Sequence, residues 1–263
     1  MYRSFVAAFV LCSALACTDR GPATADLAIT HATIIDVGDG TLEPDQTVFV
    51  KGNRITAIRP SARATVPQGA TIVDATGRYL IPGLWDAHVH SAGSVAWHFP
   101  LLVAYGVTGV RNMHSTADTA LALTNAIKRR LAARELLGPR FLANGPIIDG
   151  YPPTWPGTVV AQTPGEGRAA VDSLAAGGAD FIKVYDALTR ETFLAIADEA
   201  HRRGIPVDGH MPMLVPPEDG AAAGMRTVEH LTGITAGCSA KADSLREEYT
   251  AFLRQMPELP FPQ

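Results

Sequence analysis

The spacing of apolar and polar positions changes once along the chain, near residue 80. From Asp26 to about Tyr79, short β-branched runs (DLAITHATIID, TVFVKGNRITAIRP, ATIVDATGRYL) alternate with turn formers such as Gly38-Asp39-Gly40 and Gly52-Asn53. This pattern predicts a small antiparallel β unit. From Ile81 onward, short apolar runs alternate with Ala-rich amphipathic stretches, as in repeated βα units on a parallel sheet. Strands are expected near 83–90, 107–113, 140–145, 179–185, 205–210 and 226–230, with helices near 95–105, 117–134, 166–177, 189–203, 216–223 and 241–255. The spacing suits a βα barrel, in which functional groups gather where strands end. A doubly wound open sheet is the competing architecture, but no Gly-rich phosphate loop follows the first strand. The loop from Gly145 to Gly165 is rich in proline and aromatic residues and reads either as a lid or as plain surface.

Composition adds limits. Of 263 residues, 47% are hydrophobic and 18% charged, an ordinary globular balance. With a net charge of -4 and no basic block, nothing points to nucleic acid or to an anionic membrane surface as a partner, and neither is expected. Residues 1–17 have the form of a secretory signal peptide: Arg3, an uncharged run from Phe5 to Cys17, and the small-x-small pattern Ala14-Leu15-Ala16. The run is shorter than the roughly 20 residues that span a bilayer. Cys17 follows that pattern as in a lipobox, although Ala14 stands where a strong lipobox has Leu. Both a lipid anchor at Cys17 and a plain secreted form stay open, and each implies export to the periplasm or beyond. With Cys12 in the leader and Cys17 at its end, Cys238 has no obvious partner, so no disulfide framework is expected.

Candidate chemistry begins at IPGLWDAHVH, residues 81–90, where alternation makes Asp86, His88 and His90 lean one way. His210 and His230 end the fifth and sixth expected strands. One histidine at a strand end is more often structural, but several at the same end of successive units are hard to explain as packing. Lys183, within DFIKVYD, shares a face with Phe181 and Tyr185, opposite Ile182 and Val184. A free ammonium facing a barrel interior is costly and repels divalent metals. Carbon dioxide can convert the neutral amine to a carbamate whose two oxygens bridge two ions; the alternative is an ion pair with Asp180 or Asp186. His114, Arg111 and Tyr185 are placed to reach the mouth, the last two suiting an anionic substrate group. Asp208 suits a supporting hydrogen-bonding role behind His210. His31, His98 and His201 read as surface residues.

In order and spacing, IPGLWDAHVH, GADFIKVYD, IPVDGHMP and TVEHLTG resemble the metal-dependent amidohydrolase superfamily, and most closely its secreted imidazolonepropionase-related and prolidase-like branch. The resemblance covers roughly Asp26 to Leu253. It implies a partial N-terminal β-sandwich over 26–80, then a distorted TIM-like (β/α) barrel over 81–263, incomplete at about six of eight units. It makes His88 and His90 ligands of the more buried metal, Lys183 as carbamate the bridge, and His210 and His230 ligands of the second metal. The two divalent ions, zinc foremost with manganese or cobalt also suited, would activate water and polarise a carbonyl. The implied reaction is hydrolysis of a C–N bond in a small molecule, such as a dipeptide or an N-acyl amino acid. The aspartate expected on an eighth strand has no counterpart, so no catalytic proton carrier is assigned. The alternative is therefore a catalytically impaired relative that binds metal without turnover. Open strand edges further predict a chain that is poorly stable alone or that pairs with another segment. A mononuclear deaminase is disfavoured, because that branch does not need Lys183.

Overall fold

The computed structural model describes residues 22, 24–115 and 120–256. The expected leader, with Cys17, lies outside the described residues. The chain divides into two compact units, Met1–Pro82 and Gly83–Gln263.

The first unit holds β1 (Leu27–Ile35), β2 (Leu42–Lys51), β3 (Arg54–Pro60), β4 (Thr71–Asp74) and β5 (Tyr79–Leu80). They form one sheet in the order β3-β2-β1-β4, with β5 also on β1. The β1/β2 and β2/β3 pairs are antiparallel. However, β4 and β5 run parallel to β1, so the expectation of an antiparallel unit is corrected to a mixed sheet. The cause is the return segment 61–70, which carries the chain back beside the start of β1, so that β4 enters in the same direction. Asp26 fastens that start by accepting from Lys51 Nζ at 2.7 Å and Gly52 N at 2.6 Å. Ala28 and Phe49 are fully buried and pack with Ala57, Ala64 and Val66. Among the described residues of this unit no second sheet faces the first.

The second unit runs β6 (Leu84–Val89), α1 (Val95–Ala104), β7 (Val107–Asn112), α2 (Ala120–Ala132), β8 (Arg140–Ala143), β9 (Ile148–Asp149), β10 (Val159–Val160), α3 (Pro164–Ala176), β11 (Ile182–Val184), α4 (Arg190–Arg203), β12 (Val207–Gly209), α5 (Pro217–Ala222), β13 (Thr227–Val228), α6 (Ile234–Gly237) and α7 (Ala242–Gln255). Local signals explain the helix boundaries. Thr163 and Glu166 form a reciprocal capping box with Pro164 in the first turn of α3, and α4 stops at Gly204, left-handed at φ 66°. Every strand pair in this unit is parallel. The strands form two sheets, β6-β7-β8 and β10-β9-β11-β12-β13, instead of one continuous barrel wall. The sheets approach at β8, where Asp180 N donates to Ala143 O at 2.9 Å and Ala143 N to Asp180 Oδ2 at 2.8 Å. The segment read as a loop or lid contributes strands of its own, because β9 pairs with β11 and carries β10 on its other edge.

Both sheets are covered by helices. Val171 and Leu174 of α3 and Phe193 and Ile196 of α4 pack on Ile182, Val184 and Val207. Phe99 and Ile127 pack with Val89, Val110 and Phe141. Each such side chain contributes about 1.5–3 kcal/mol by leaving water. Since the helices claim one face of β11 and β12, the alternating residues are sent to the other. Among the described residues no helix is long and apolar enough to cross a membrane, and Cys238 is free and exposed.

Candidate functional site

The pleat of β11 puts Ile182 and Val184 under the helices and Lys183 on the opposite side, with Tyr185 just beyond. There His88 and His90 arrive from the end of β6, His210 from just after β12, and His230 from just after β13. With His114, Ile147, Trp155 and Tyr185 they line a cavity of about 350 Å³. His88 Nε2 and His90 Nε2 are 3.2 Å apart. The His88 and His230 rings are centred 4.4 Å apart, those of His210 and His230 5.4 Å. Tyr185 stacks on His210 at 3.9 Å and its hydroxyl accepts from Trp155 Nε1 at 2.8 Å.

Backbone geometry aims two of these histidines. Gly209 has φ 126°, and a Cβ there would lie 2.3 Å from the Val184 carbonyl oxygen. Only glycine lets β12 lie this close to β11 before His210 turns inward. At β13 the strand breaks into a 3-10 turn over Glu229–Leu231, with His230 at φ 56° and Leu231 at φ 57°. This break brings both Glu229 and His230 to the site, where an unbroken strand would send them to opposite faces.

A buried polar network lies behind the histidines. Glu229 Oε2 is 2.7 Å from His88 Nδ1, and its Oε1 accepts from Arg111 Nη2 at 2.7 Å. Arg111 also donates to the Ala87 carbonyl at 2.9 Å and to Asp208 Oδ2 at 3.1 Å. Arg111 is therefore committed to the network, which corrects its reading as a contact for an anionic substrate. Asp208 also takes Arg226 at 2.7 Å, a supporting role as expected. Asp186 is 2.9 Å from His210 Nδ1, Asp180 is held by Lys128 and Ala143 N, and Asp86 accepts from His88 N at 3.1 Å.

Neither carboxylate flanking Lys183 thus pairs with it, contrary to the ion-pair alternative. Lys183 is 2% exposed and has no hydrogen bond or ion pair among the described residues; the Tyr185 ring centre is 5.6 Å from its Nζ. Burial lowers its pKa to about 8, against the pull of Glu229 and Asp186. Burial and then the charge of Lys183 lower His90, and burial lowers His88 despite its bond to Glu229. His114 is buried with neither ring nitrogen partnered. The Pro156 carbonyl lies near it without hydrogen-bond geometry, and burial followed by Lys183 and His90 pushes it down to about 4. These imidazoles are neutral near pH 7, as ligand or acceptor roles require.

Among the described residues no three His, Cys, Asp or Glu side chains already surround one point. The His88/His90 pair nevertheless fits an ion, because bonds of about 2.0–2.1 Å at a tetrahedral angle set two ligand nitrogens roughly 3.3 Å apart. A buried lysine without a counter-ion fits the carbamate chemistry. Sequence reasoning missed Glu229, whose inward turn depends on the break at His230, and Trp155, whose position depends on the pairing of β9 and β10.

The second unit is thus a parallel α/β fold with four histidines and a lysine gathered near strand ends around one cavity. No family model matches the chain. It is 41% identical over 80 residues to adenine deaminase of Rubrobacter xylanophilus, covering 30% of this chain and 13% of that enzyme. It is 35% identical over 124 residues to N-acyl-D-aspartate deacylase of Alcaligenes xylosoxydans xylosoxydans, covering 46% and 23%. A solved structure from Bifidobacterium longum, assigned as a prolidase, superimposes with a TM-score of 0.68 at 29% identity over 80% of this chain and 55% of its own. The chain therefore spans less than a quarter of those two curated relatives. The likeness in sequence and in structure is thus to amidohydrolases, prolidases among them.

Proposed function

We propose that the protein hydrolyses C–N bonds of small amides, dipeptides or N-acyl amino acids, with two divalent ions held in the cavity. The observation that carries this reading is the convergence of His88, His90, His210 and His230 on one cavity beside Lys183, buried without a counter-ion. His88 and His90 would hold one ion, His210 and His230 the other, and Lys183 would join them as a carbamate. In forming it, the neutral amine adds to the carbon of carbon dioxide and loses one proton, replacing a cation with an anion. When bound, such ions supply Lewis acidity for a carbonyl and make water a stronger acid.

The chain's own groups bind and orient. Tyr185, whose oxygen is engaged by Trp155, keeps its hydroxyl hydrogen for a substrate acceptor. His114 presents unpartnered nitrogens to the polar end of a substrate, and Ile147 and Trp155 shelter its apolar part from water. A leader over 1–17 would export the protein, and the expressed full chain should then fractionate with the periplasm.

The test is metal analysis after reconstitution with zinc and bicarbonate, followed by assay. Close to two ions per chain are expected, falling after Lys183→Ala. Release of amino acid from dipeptides or N-acyl amino acids, without ammonia release from adenine, supports the hydrolase reading. No bound metal would remove its basis, and ammonia from adenine would turn the assignment to deamination.

A further inference from the structure

Among the described residues, Glu229 is the one buried carboxylate that joins a cavity histidine to the network behind it. Its Oε2 lies 2.7 Å from His88 Nδ1 and its Oε1 takes Arg111 Nη2, also at 2.7 Å. Thr227 Oγ1 is 2.8 Å from the same Oε1. With a guanidinium on one oxygen, Glu229 is an anionic acceptor, so the hydrogen in the His88 contact belongs to Nδ1. The lone pair of a neutral His88 must then be on Nε2, the atom 3.2 Å from His90 Nε2.

We infer that Glu229 is a positioning residue: it locks His88 in the Nδ1–H tautomer and holds its bare Nε2 toward His90, ready to receive a metal ion. Arg111 gives the device its direction. It spans from the Ala87 carbonyl on β6 to Asp208 on β12 and Glu229 just past β13, and so fixes which carboxylate oxygen is left for His88. The φ of 56° at His230 is what allows Glu229 and His230 to serve the same cavity. The ion itself rests on the function proposed above, whereas the tautomer does not.

The experiment uses the full chain, stripped of metal by a chelator, with His88 assigned in two-bond ¹H–¹⁵N spectra. In the wild type His88 should be the Nδ1–H tautomer; finding Nε2–H would overturn the inference without any variant. Glu229→Gln sharpens the test, because Arg111 should hold the amide oxygen and leave the amide NH₂ facing Nδ1. His88 should then switch to Nε2–H, which caps the metal-facing nitrogen. Zinc affinity should fall about 10–100-fold, the usual loss when a partner behind a ligand is removed. Glu229→Ala, which imposes no amide orientation, should leave a mixture of tautomers. Retention of Nδ1–H in both variants would overturn the inference. A tautomer switch in a protein whose wild type binds no zinc would uphold the inference and refute the metal reading.

Discussion

Asp149, at the end of β9, offers a test of how the cavity's aromatic flap is held. It is 1% exposed, and its Oδ1 accepts from Gly150 N and Ala187 N, both at 2.8 Å, with Thr154 N at 3.4 Å from Oδ2. Burial pushes its pKa from 3.8 up to about 7 against the pull of those donors, and Asp186 pushes the same way. A neutral acid can serve both short bonds through its carbonyl oxygen. An acid whose folded pKa exceeds its unfolded value binds its proton more tightly when folded. Its contribution to stability is therefore complete below about pH 4 and lost as pH rises through about 7. At about 1.4 kcal/mol per pH unit, the interval from 3.8 to about 7 caps that loss near 4 kcal/mol. Asp149→Asn keeps the acceptor oxygen and cannot ionise. In urea titrations its advantage over wild type should be about 1–2 kcal/mol near pH 5 and grow by roughly a further 1–3 kcal/mol by pH 8. Asp149→Ala strands two buried donors and should cost about 2–6 kcal/mol at either pH. A difference between Asn and wild type that stays constant from pH 5 to pH 8 would refute the reasoning.

Two further substitutions test the scaffold. Gly209→Ala places a methyl group 2.3 Å from the Val184 carbonyl oxygen at a φ of 126°, and should lower stability by about 2–5 kcal/mol in thermal unfolding; an unchanged melting curve would mean that β11 and β12 can part at no cost. Arg111→Met leaves Asp208 and Glu229 without their shared guanidinium and should cost about 3–5 kcal/mol in urea unfolding, with Arg111→Lys only partly restoring it; a loss below about 1 kcal/mol would show that Arg226 alone balances the network.

Much of the second unit was legible because its elements carry their own punctuation. The apolar runs at 84–89 and 107–112 stop at polar residues, and α3 and α4 begin at Thr163 and Thr189, so the expected spans agree with the observed ones to within a few residues. Strand alternation put His88 and His90 on one face and Lys183 opposite Ile182 and Val184, and the places of His210 and His230 at successive strand ends grouped them with the others. What was not legible depends on partners distant in sequence. A strand's pattern says which face is buried but not which way its neighbour runs, so the parallel entry of β4 and β5 was missed. With two residues each, β9 and β10 are too short to show a period. Arg111 looked available because nothing local announces Asp208 and Glu229, far along the chain, as its partners.

The pairing of β9 and β10 has a dynamic consequence. Because Val159 lies beside Ile148, which in turn pairs with Val184, the segment 150–158 leaves and re-enters the fold at adjacent points. Trp155, at its crest, is further restrained by its bond to Tyr185. A tethered loop of this kind meets most of its ordering cost once, when the chain folds, and little of it at each encounter with a ligand. Selectivity at this mouth would then come from a wall already in place.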